Sequence, residues 1–322
     1  MRAAFAVPRR AVLVAHKGPD GDALGSLLAL QAFLLKQGHT VCAVTPNACP
    51  EFLRWMPGYD RSTVYMTNRA EVDRAIAEAE YIFHLDYNDM ARTSDMAVAL
   101  SHAGAVHILI DHHLQPVIQA TWSFSEPSMS ATAELLYEVL HAWDASLIDR
   151  DIATCIYAGM MTDTGCFSYN VPRSETFRTV AALMDYGIDR DAVSAAVYDN
   201  YSEHRQRLLG YCLSRKMEVF PEQRAALIVL TRDEQLQYHF AEGDSEGFVN
   251  YPFAIRGIRF VAFIREDDDR IKISLRSRGD FDVNEIARRY FNGGGHRNAA
   301  GGDMTLPLQT VVGRFYQVLE TL

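Results

Sequence analysis

Val106-His107-Ile108-Leu109-Ile110-Asp111-His112-His113 is the stretch whose reading decides the fold. An apolar run of this length, closed by polar residues, reads as a buried strand. It delivers a carboxylate and two imidazoles together at its C-terminal edge, where open α/β sheets place their ligands. A single His beside a strand is by default a satisfied core residue, and most of the eleven His in the chain are read that way. Asp-His-His at a strand end is harder to dismiss, because the same grammar recurs elsewhere.

Working outward, Tyr81–Leu85 is a second apolar strand, ending in Asp86-Tyr87-Asn88-Asp89. Taken singly, Asp86 fits a cap or turn as well as a ligand. Period two puts His84 on the side of Asp86, and His84 is read as packing. Residues 10–15 form a first strand that runs into His16-Lys17-Gly18-Pro19-Asp20-Gly21-Asp22-Ala23-Leu24-Gly25-Ser26, a tight turn marked by Pro and Gly. A helical pattern follows over residues 23–36, is stopped by Gly38, and leads to a strand over residues 40–45. This β-loop-helix-β opening begins a doubly wound fold. The loop could be a helix N-cap at Asp22 with incidental polar neighbours. Three hard ligands in one turn after a strand favour a metal loop.

Helical patterns over residues 71–79 and 94–103 complete the alternation, followed by helices over 130–143 and 148–161. The last runs into Thr162-Asp163-Thr164-Gly165. An anion at a helix C-terminus opposes the dipole, and a cation beside Asp163 would remove the conflict. Residues 174–186 and 191–198 read as further helices, and 202–217 as a long connector helix. Beyond it, strands are expected at 225–231, 258–265 and 270–275, helices at 249–256, 283–290 and 306–322. The turn Glu266-Asp267-Asp268-Asp269 is expected as a solvated hairpin tip.

Composition bounds the rest. The 322 residues leave room for two domains. A net charge of −10 argues against a general nucleic-acid coat protein. Acidity is compatible with phosphate chemistry when a metal centre built from Asp supplies its own positive charge. The five Cys are scattered without a C-x-x-C pair, as for free thiols in a reducing compartment. No apolar run approaches the ~18 residues of a spanning helix, and the run after Arg9-Arg10 is too short for a signal core. A cytoplasmic location and no membrane partner are expected.

His16, Asp20, Asp22, Asp86, His112 and Asp163 all fall at element ends, with Asp111 and His113 close by. Such a set suits two divalent ions ~3.5–4 Å apart that act on a phosphoester. Oxygen ligands with an admixture of imidazole favour Mn, with Mg or Co as alternatives, and the absence of Cys argues against structural zinc. A second cluster, Gly293-Gly294-Gly295-His296-Arg297-Asn298-Ala299-Ala300-Gly301-Gly302, lets backbone approach a ligand, and consecutive N–H groups before a helix can cradle phosphate. Upstream, Ser274-Leu275-Arg276-Ser277-Arg278 supplies an Arg suited to bidentate phosphate recognition.

Assembled, His16-x-x-Pro19-Asp20-Gly21-Asp22-x-x-Gly25-Ser26, Asp86, Asp111-His112-His113 and Thr162-Asp163-Thr164-Gly165 resemble the motifs of the DHH-family phosphoesterases. The distal Arg276-Ser277 and glycine-rich run resemble their DHH-associated C-terminal domain, and within the family the chain is most similar to the nanoRNases, oligoribonucleases that also act on pAp.

The resemblance implies an α/β fold: a doubly wound, mainly parallel N-terminal sheet with a smaller C-terminal α/β domain and the active site in the cleft between them. The boundaries expected are 1–200 for the catalytic domain, 201–218 for a helical linker and 219–322 for the substrate-binding domain. It implies one metal on His16 and Asp20, another on Asp22, His112 and Asp163, and Asp86 bridging. His113 would contact the scissile phosphate and assist the leaving oxygen, with Asp111 orienting an imidazole. Arg276, Ser277, Gly294, Gly295, His296, Arg297 and Asn298 would hold the substrate, a short RNA oligonucleotide or a nucleotide bisphosphate. A pApA-type dinucleotide phosphodiesterase, an exopolyphosphatase or pyrophosphatase, and a nucleotide-binding module without turnover are the competing functions; a homodimer is one oligomeric option.

Overall fold

In the computed structural model residues 2–322 are described. The chain divides after Asn200 into two compact units, each with its own six-stranded sheet.

The first unit runs β1 (Arg10–Val14), α1 (Gly21–Lys36), β2 (Thr40–Thr45), β3 (Ser62–Val64), α2 (Arg69–Glu78), β4 (Tyr81–Leu85), α3 (Met96–Ser101), β5 (Val106–Asp111), β6 (Trp122–Ser125), α4 (Thr132–Asp144), α5 (Arg150–Asp163), α6 (Ser174–Asp185) and α7 (Arg190–Tyr198). Its strands are all parallel in the order β3-β2-β1-β4-β5-β6. The direction of winding reverses between β1 and β4, and the crevice beyond their C-terminal ends is where doubly wound sheets bind ligands. The edge strands β3 and β6 were not expected from the sequence. At three and four residues they are too short to display a period.

Both sheet faces are covered, so the strands read as continuous apolar runs. Leu13, Phe83, Leu85, Ile108 and Ile110 pack on one side with residues of α1, α4 and α5. Val12, Val14, Ile82 and Leu109 pack on the other with Val72, Ile76, Met96 and Leu100 of α2 and α3. Helix α1 is buried almost all round between Gly21 and Leu34, as befits a helix with apolar residues on every side. Its close approach to α5 depends on Gly25, where an added Cβ would lie 2.4 Å from the Cys155 carbonyl oxygen. Backbone cannot yield there as a side-chain tip can. Gly159 of α5 likewise faces the Ala133 Cβ, 2.7 Å from where its own would be.

The second unit contains α8 (Glu203–Tyr211), β7 (Met217–Phe220), β8 (Ala225–Leu230), α9 (Arg232–Gln237), β9 (Phe260–Glu266), β10 (Ile271–Ser277), α10 (Val283–Tyr290), β11 (Gly293–Gly295), β12 (Ala299–Met304) and α11 (Leu308–Glu320). Its sheet runs β11-β12-β10-β9-β8-β7, antiparallel except for the β8–β9 pair. Phe260, Ile264, Ile273 and Leu275 pack on one face with Val283, Ala287, Val311 and Phe315 of α10 and α11. Ala226, Ile228, Val261 and Phe263 pack on the other with Leu208, Leu209 and Cys212.

Several expectations are revised here. Residues 201–218, expected as a linker, supply Leu208, Leu209 and Cys212 to the core of the second unit. The expected long helix over 202–217 gives way at Cys212 to a π-helical turn, then to β7, a strand the sequence reading lacked. Residues Phe248–Ala254 form a 3-10 helix with Pro252 inside it, in place of an α-helix. The glycine-rich run opens no helix; it is the hairpin β11–β12. Gly302 is explained by close backbone contact, since an added Cβ there would sit 2.1 Å from the Phe291 carbonyl oxygen.

Because backbone meets backbone at Gly25, Gly25→Ala is expected to force α1 and α5 apart and cost about 1–3 kcal/mol, the usual price of overpacking a tight core. A shift of the urea midpoint at constant slope is the measurement; an unchanged midpoint would contradict the contact.

Candidate active site

Each candidate ligand is placed by a local structural cause. Asp20 is the N-cap of α1, its side chain accepting the Asp22 and Ala23 N–H groups. Asp22 lies in the first turn of α1, and its carboxylate accepts Thr132 N–H at 2.7 Å and Ala133 N–H at 2.8 Å. Those are orphan donors at the start of α4, whose own N-cap, Ala131, offers no side-chain acceptor. A helix N-terminus thus grips Asp22 from across the fold, where its dipole favours an anion.

Asp86 follows β4 with φ of +64°, a left-handed conformation that Asp tolerates better than most residues. The turn breaks the strand's alternation. His84 therefore does not share the side of Asp86, as period two had implied. Its ring is buried on the opposite face, with Nδ1 2.5 Å from the Tyr87 hydroxyl and Nε2 2.7 Å from His107 Nδ1. Burial and the neighbouring His107 push its pKa down to about 3. His84 is packing, as read from the sequence.

Asp86 instead turns toward α1 and α4. Its Oδ2 lies 3.5 Å from His16 Nε2, while Oδ1 lies 3.7 Å from His112 Nε2 and accepts the Thr132 hydroxyl at 2.8 Å. One carboxylate thus spans two clusters. In the first, His16 Nε2 is also 3.9 Å from Asp20 Oδ2; in the second, His112 Nε2 is 3.8 Å from Asp22 Oδ2 and 3.6 Å from Asp163 Oδ2. These two groups, His16-Asp20-Asp86 and Asp22-His112-Asp163, each bring their ligand atoms within 4.8 Å of one another. Asp111 and His113 adjoin them, with His113 Nδ1 2.7 Å from Asp111 Oδ1 and 3.7 Å from Asp86 Oδ1.

The donor set fits divalent metal. His16 Nδ1 lies 2.9 Å from the Lys17 carbonyl and His112 Nδ1 3.2 Å from that of Met129. A carbonyl only accepts, so both rings carry a proton on Nδ1, and when neutral they aim the Nε2 lone pair at the carboxylates. That is the outer-shell arrangement which orients metal-ligating imidazoles. Lone pairs facing carboxylate oxygens repel unless a cation lies between them.

The electrostatics agree. Burial, then the charges of Asp86, Asp163 and Asp20, push Asp22 well above the ordinary carboxylate range. Burial also raises Asp163, to about 6, and with the charges of Asp20 and Asp86 it outweighs the lowering pull of His112 and His113. Burial and Arg92 oppose protonation of His16, yet its hydrogen bond to Asp86 and the charges of Asp20 and Asp86 leave its pKa raised. Burial lowers His112, and Asp163 and Asp86 more than reverse it. Asp86 is raised by burial but carried well below its ordinary value by His16, His113 and His112.

In the second unit, alternation along β10 buries Ile271, Ile273 and Leu275 and leaves Lys272, Ser274 and Arg276 on the other face. These three line a depression with Arg265, Ser245 and Phe263. Ser277 and Asn298 are differently employed. The Ser277 hydroxyl donates to the Phe281 carbonyl at 2.6 Å, and Asn298 Nδ2 donates to Ser277 Oγ at 2.8 Å and to the Gly279 carbonyl at 3.1 Å. Both fasten the turn after β10. Arg297 donates to the Asp280 carbonyl at 3.0 Å. Nor do the glycine N–H groups form an open cradle: Gly295 N–H donates to Asn284 Oδ1 at 3.0 Å and His296 N–H to the Ala299 carbonyl at 2.7 Å. Gly294 lies mid-strand in β11, paired with Gly301.

The sequence reading missed Thr132 altogether, because a Thr at a helix start carries no signal of a partner 46 positions away.

Comparison with known proteins accords with this geometry. Residues 10–160 match the DHH family, N-terminal domain, and residues 228–321 match the DHHA1 domain. The bifunctional oligoribonuclease and PAP phosphatase NrnA of Bacillus subtilis is 26% identical over 91% of this chain and 88% of its own length. Its namesake in Thermus thermophilus is 28% identical over 91% of this chain and 83% of its own. The crystal structure of an exopolyphosphatase-related protein from Bacteroides fragilis superposes with a TM-score of 0.93 at 42% identity, covering 98% of this chain and 93% of that one. RecJ of Thermus thermophilus, solved in complex with Mn2+, shares the fold at a TM-score of 0.60 and 15% identity, over 100% of this chain and 54% of its own. With both domains matched in order, and with a relative this similar across their whole length, the chain belongs to the DHH family: it is a phosphoesterase made of a DHH domain and a DHHA1 domain.

Proposed function

We propose that the chain is a Mn-dependent phosphoesterase that hydrolyses short oligoribonucleotides to 5′-mononucleotides and also acts on pAp. The observation that carries this reading is Asp86, one oxygen toward His16 and the other toward His112, flanked by Asp20 on one side and by Asp22 and Asp163 on the other. His16 and Asp20 would hold one ion, Asp22, His112 and Asp163 a second, and Asp86 would bridge. Ions so held would polarise the phosphoryl oxygen and supply a nucleophile from water. The chain's own part is to hold these ligands in place and oriented. The α4 N-terminus does so for Asp22, the Thr132 hydroxyl for Asp86, and the Lys17 and Met129 carbonyls for the imidazoles.

The oligonucleotide substrate is supported by the names of the Bacillus and Thermus relatives. Arg276, open on the β10 face, and His296 are proposed to contact a substrate phosphate or base. The name of the Bacteroides protein favours a second reading, hydrolysis of polyphosphate. A panel of pAp, pApA, di- to pentaribonucleotides, pyrophosphate and polyphosphate with Mn separates the two. Turnover of the nucleotides is expected, and their survival beside hydrolysed polyphosphate would replace the first reading with the second.

Asp86→Ala and His112→Ala are expected to lower kcat by about 10²–10³-fold or more, the scale of losing a preorganised electrostatic stabiliser. Arg276→Ala should mainly raise KM. Normal kcat in Asp86→Ala would contradict the bridging role.

The carboxyl pKa values set a pH dependence. Asp163, raised from 3.8 to about 6, favours the metal-free fold while protonated and loses that contribution as pH rises through about 6. Metal takes the deprotonated ligands, so protons compete with it below that range. The rise in Tm on adding Mn should therefore be larger at pH 7.5 than at pH 5. An equal or reversed difference in thermal-shift measurements would count against Asp163 as a ligand.

A further inference from the structure

Arg92 lies on the 3-10 turn Met90–Thr93 beyond β4, a turn capped by the Asp89 side chain. Three contacts fix this loop. The Arg92 carbonyl accepts Lys17 N–H at 2.7 Å, tying it to the His16 loop. Asn88 Nδ2 donates to the Leu114 carbonyl at 2.7 Å, and the Asn88 carbonyl accepts Val117 N–H at 2.9 Å, tying it to the segment after His113.

The Arg92 side chain then reaches the site, with Nη1 2.9 Å from His113 Nε2. A guanidinium has donors only, so His113 Nε2 must accept. The ring proton therefore sits on Nδ1, which donates to Asp111 Oδ1 at 2.7 Å. Asp111 is fully buried, and its other oxygen has no hydrogen-bond partner. The chain of bonds has one direction, from Arg92 through His113 to Asp111. In this arrangement His113 Nε2 holds no proton to give to a leaving oxygen.

Among the described residues Arg92 pairs with no carboxylate, although it sits beside a cluster of them, and its charge is felt at His16. With Nη1 taken by His113, the Nε–H and Nη2–H donors remain as a fork that matches two oxygens of a phosphate. We propose that Arg92 is a substrate-contacting residue that grips a phosphate oxygen pair at the DHH centre, and that His113 and Asp111 are positioning residues which act through it. The proposal rests on the phosphoesterase reading above and corrects the role expected for His113, from proton donor to acceptor.

The test compares kcat and KM with Mn, on one hydrolysable phosphoester, for Arg92→Ala, Arg92→Lys, His113→Ala, His113→Gln and the Arg92→Ala/His113→Ala double variant. Mn binding by calorimetry is measured for each. Arg92→Ala is expected to lower kcat/KM by about 10²–10³-fold, as for loss of one charged donor at a developing charge. Mn affinity should stay near the wild-type value, and added guanidinium ion at non-denaturing concentration should restore part of the rate. Arg92→Lys, a point charge without the fork, should recover less than guanidinium chemistry would predict for charge alone.

His113→Gln separates the roles, because its amide oxygen can take the place of Nε2 as an acceptor and cannot protonate a leaving group. It should keep activity within about tenfold of wild type, while His113→Ala falls toward Arg92→Ala and the double variant is no worse than Arg92→Ala alone. Arg92→Ala within about threefold of wild type would overturn the proposal. So would loss of Mn binding in Arg92→Ala, or a His113→Gln variant as inactive as His113→Ala. The wild type's choice among substrates tests the proposed function; ratios between variants on one substrate test Arg92.

Discussion

Three carboxylates, the buried Asp22 and Asp86 and the half-buried Asp163, converge on one imidazole, and that crowding of like charge is the constraint on which the rest of the first unit depends. Burying one ionised carboxylate is costly, and placing several together raises the cost unless positive charge compensates. The fold compensates in part with its backbone: the start of α4 donates to Asp22 through two main-chain N–H groups, and Thr132 donates to Asp86. What remains uncompensated is visible in Asp22 and Asp163, both raised in pKa by burial and by their neighbours. A site that retains this unfavourable charge in its metal-free form is arranged for cations. Divalent ions bound there would draw their affinity from the stability given up locally.

The packing of the unit follows from the need to hold those groups. Helix α1 carries Asp22 in its first turn and must lie close to α5, which carries Asp163 at its last residue. The glycine at position 25 permits that approach, with Gly159 clearing the room for α4. The sheet contributes by reversing its winding between β1 and β4, so that the loops bearing His16 and Asp86 leave neighbouring strand ends. The left-handed Asp86 then turns the carboxylate out of the strand's register and toward the helices. Backbone strain of this kind persists where surrounding contacts over-determine it, and here it sits at the centre of the site.

The DHHA1 unit shows polar residues put to two uses. Ser277 and Asn298 spend their hydrogen bonds within the chain, closing a turn. Lys272, Ser274 and Arg276 share the open face of the same strand that buries Ile273 and Leu275. Position parity on β10 therefore divides residues available to a ligand from residues that hold the fold, and Arg276 and Ser277 fall on opposite sides of that division. The acidic turn Asp267-Asp268-Asp269 is likewise structural: Arg265 bonds Asp267 at 2.6 Å and Arg232 meets Asp268 at 2.7 Å.

By itself the sequence determined the parallel α/β alternation, because two-faced burial demands continuous apolar runs, and it determined the candidate ligands, because hydrophilic residues closing such runs stand out against them. His16, Asp20, Asp22, Asp86, Asp111, His112, His113 and Asp163 were all legible in that way. Short edge strands such as β3 and β6 were not, since three or four residues show no period, nor was the hairpin in the glycine-rich run, because glycine marks close approach without saying whether a ligand or another backbone approaches. Only the tertiary structure decided which side of β4 His84 takes, that α4 begins on Asp22, and that His113 accepts from Arg92. Each is a contact between residues far apart in the chain, or a single dihedral angle that reverses a face, and neither is written in local composition.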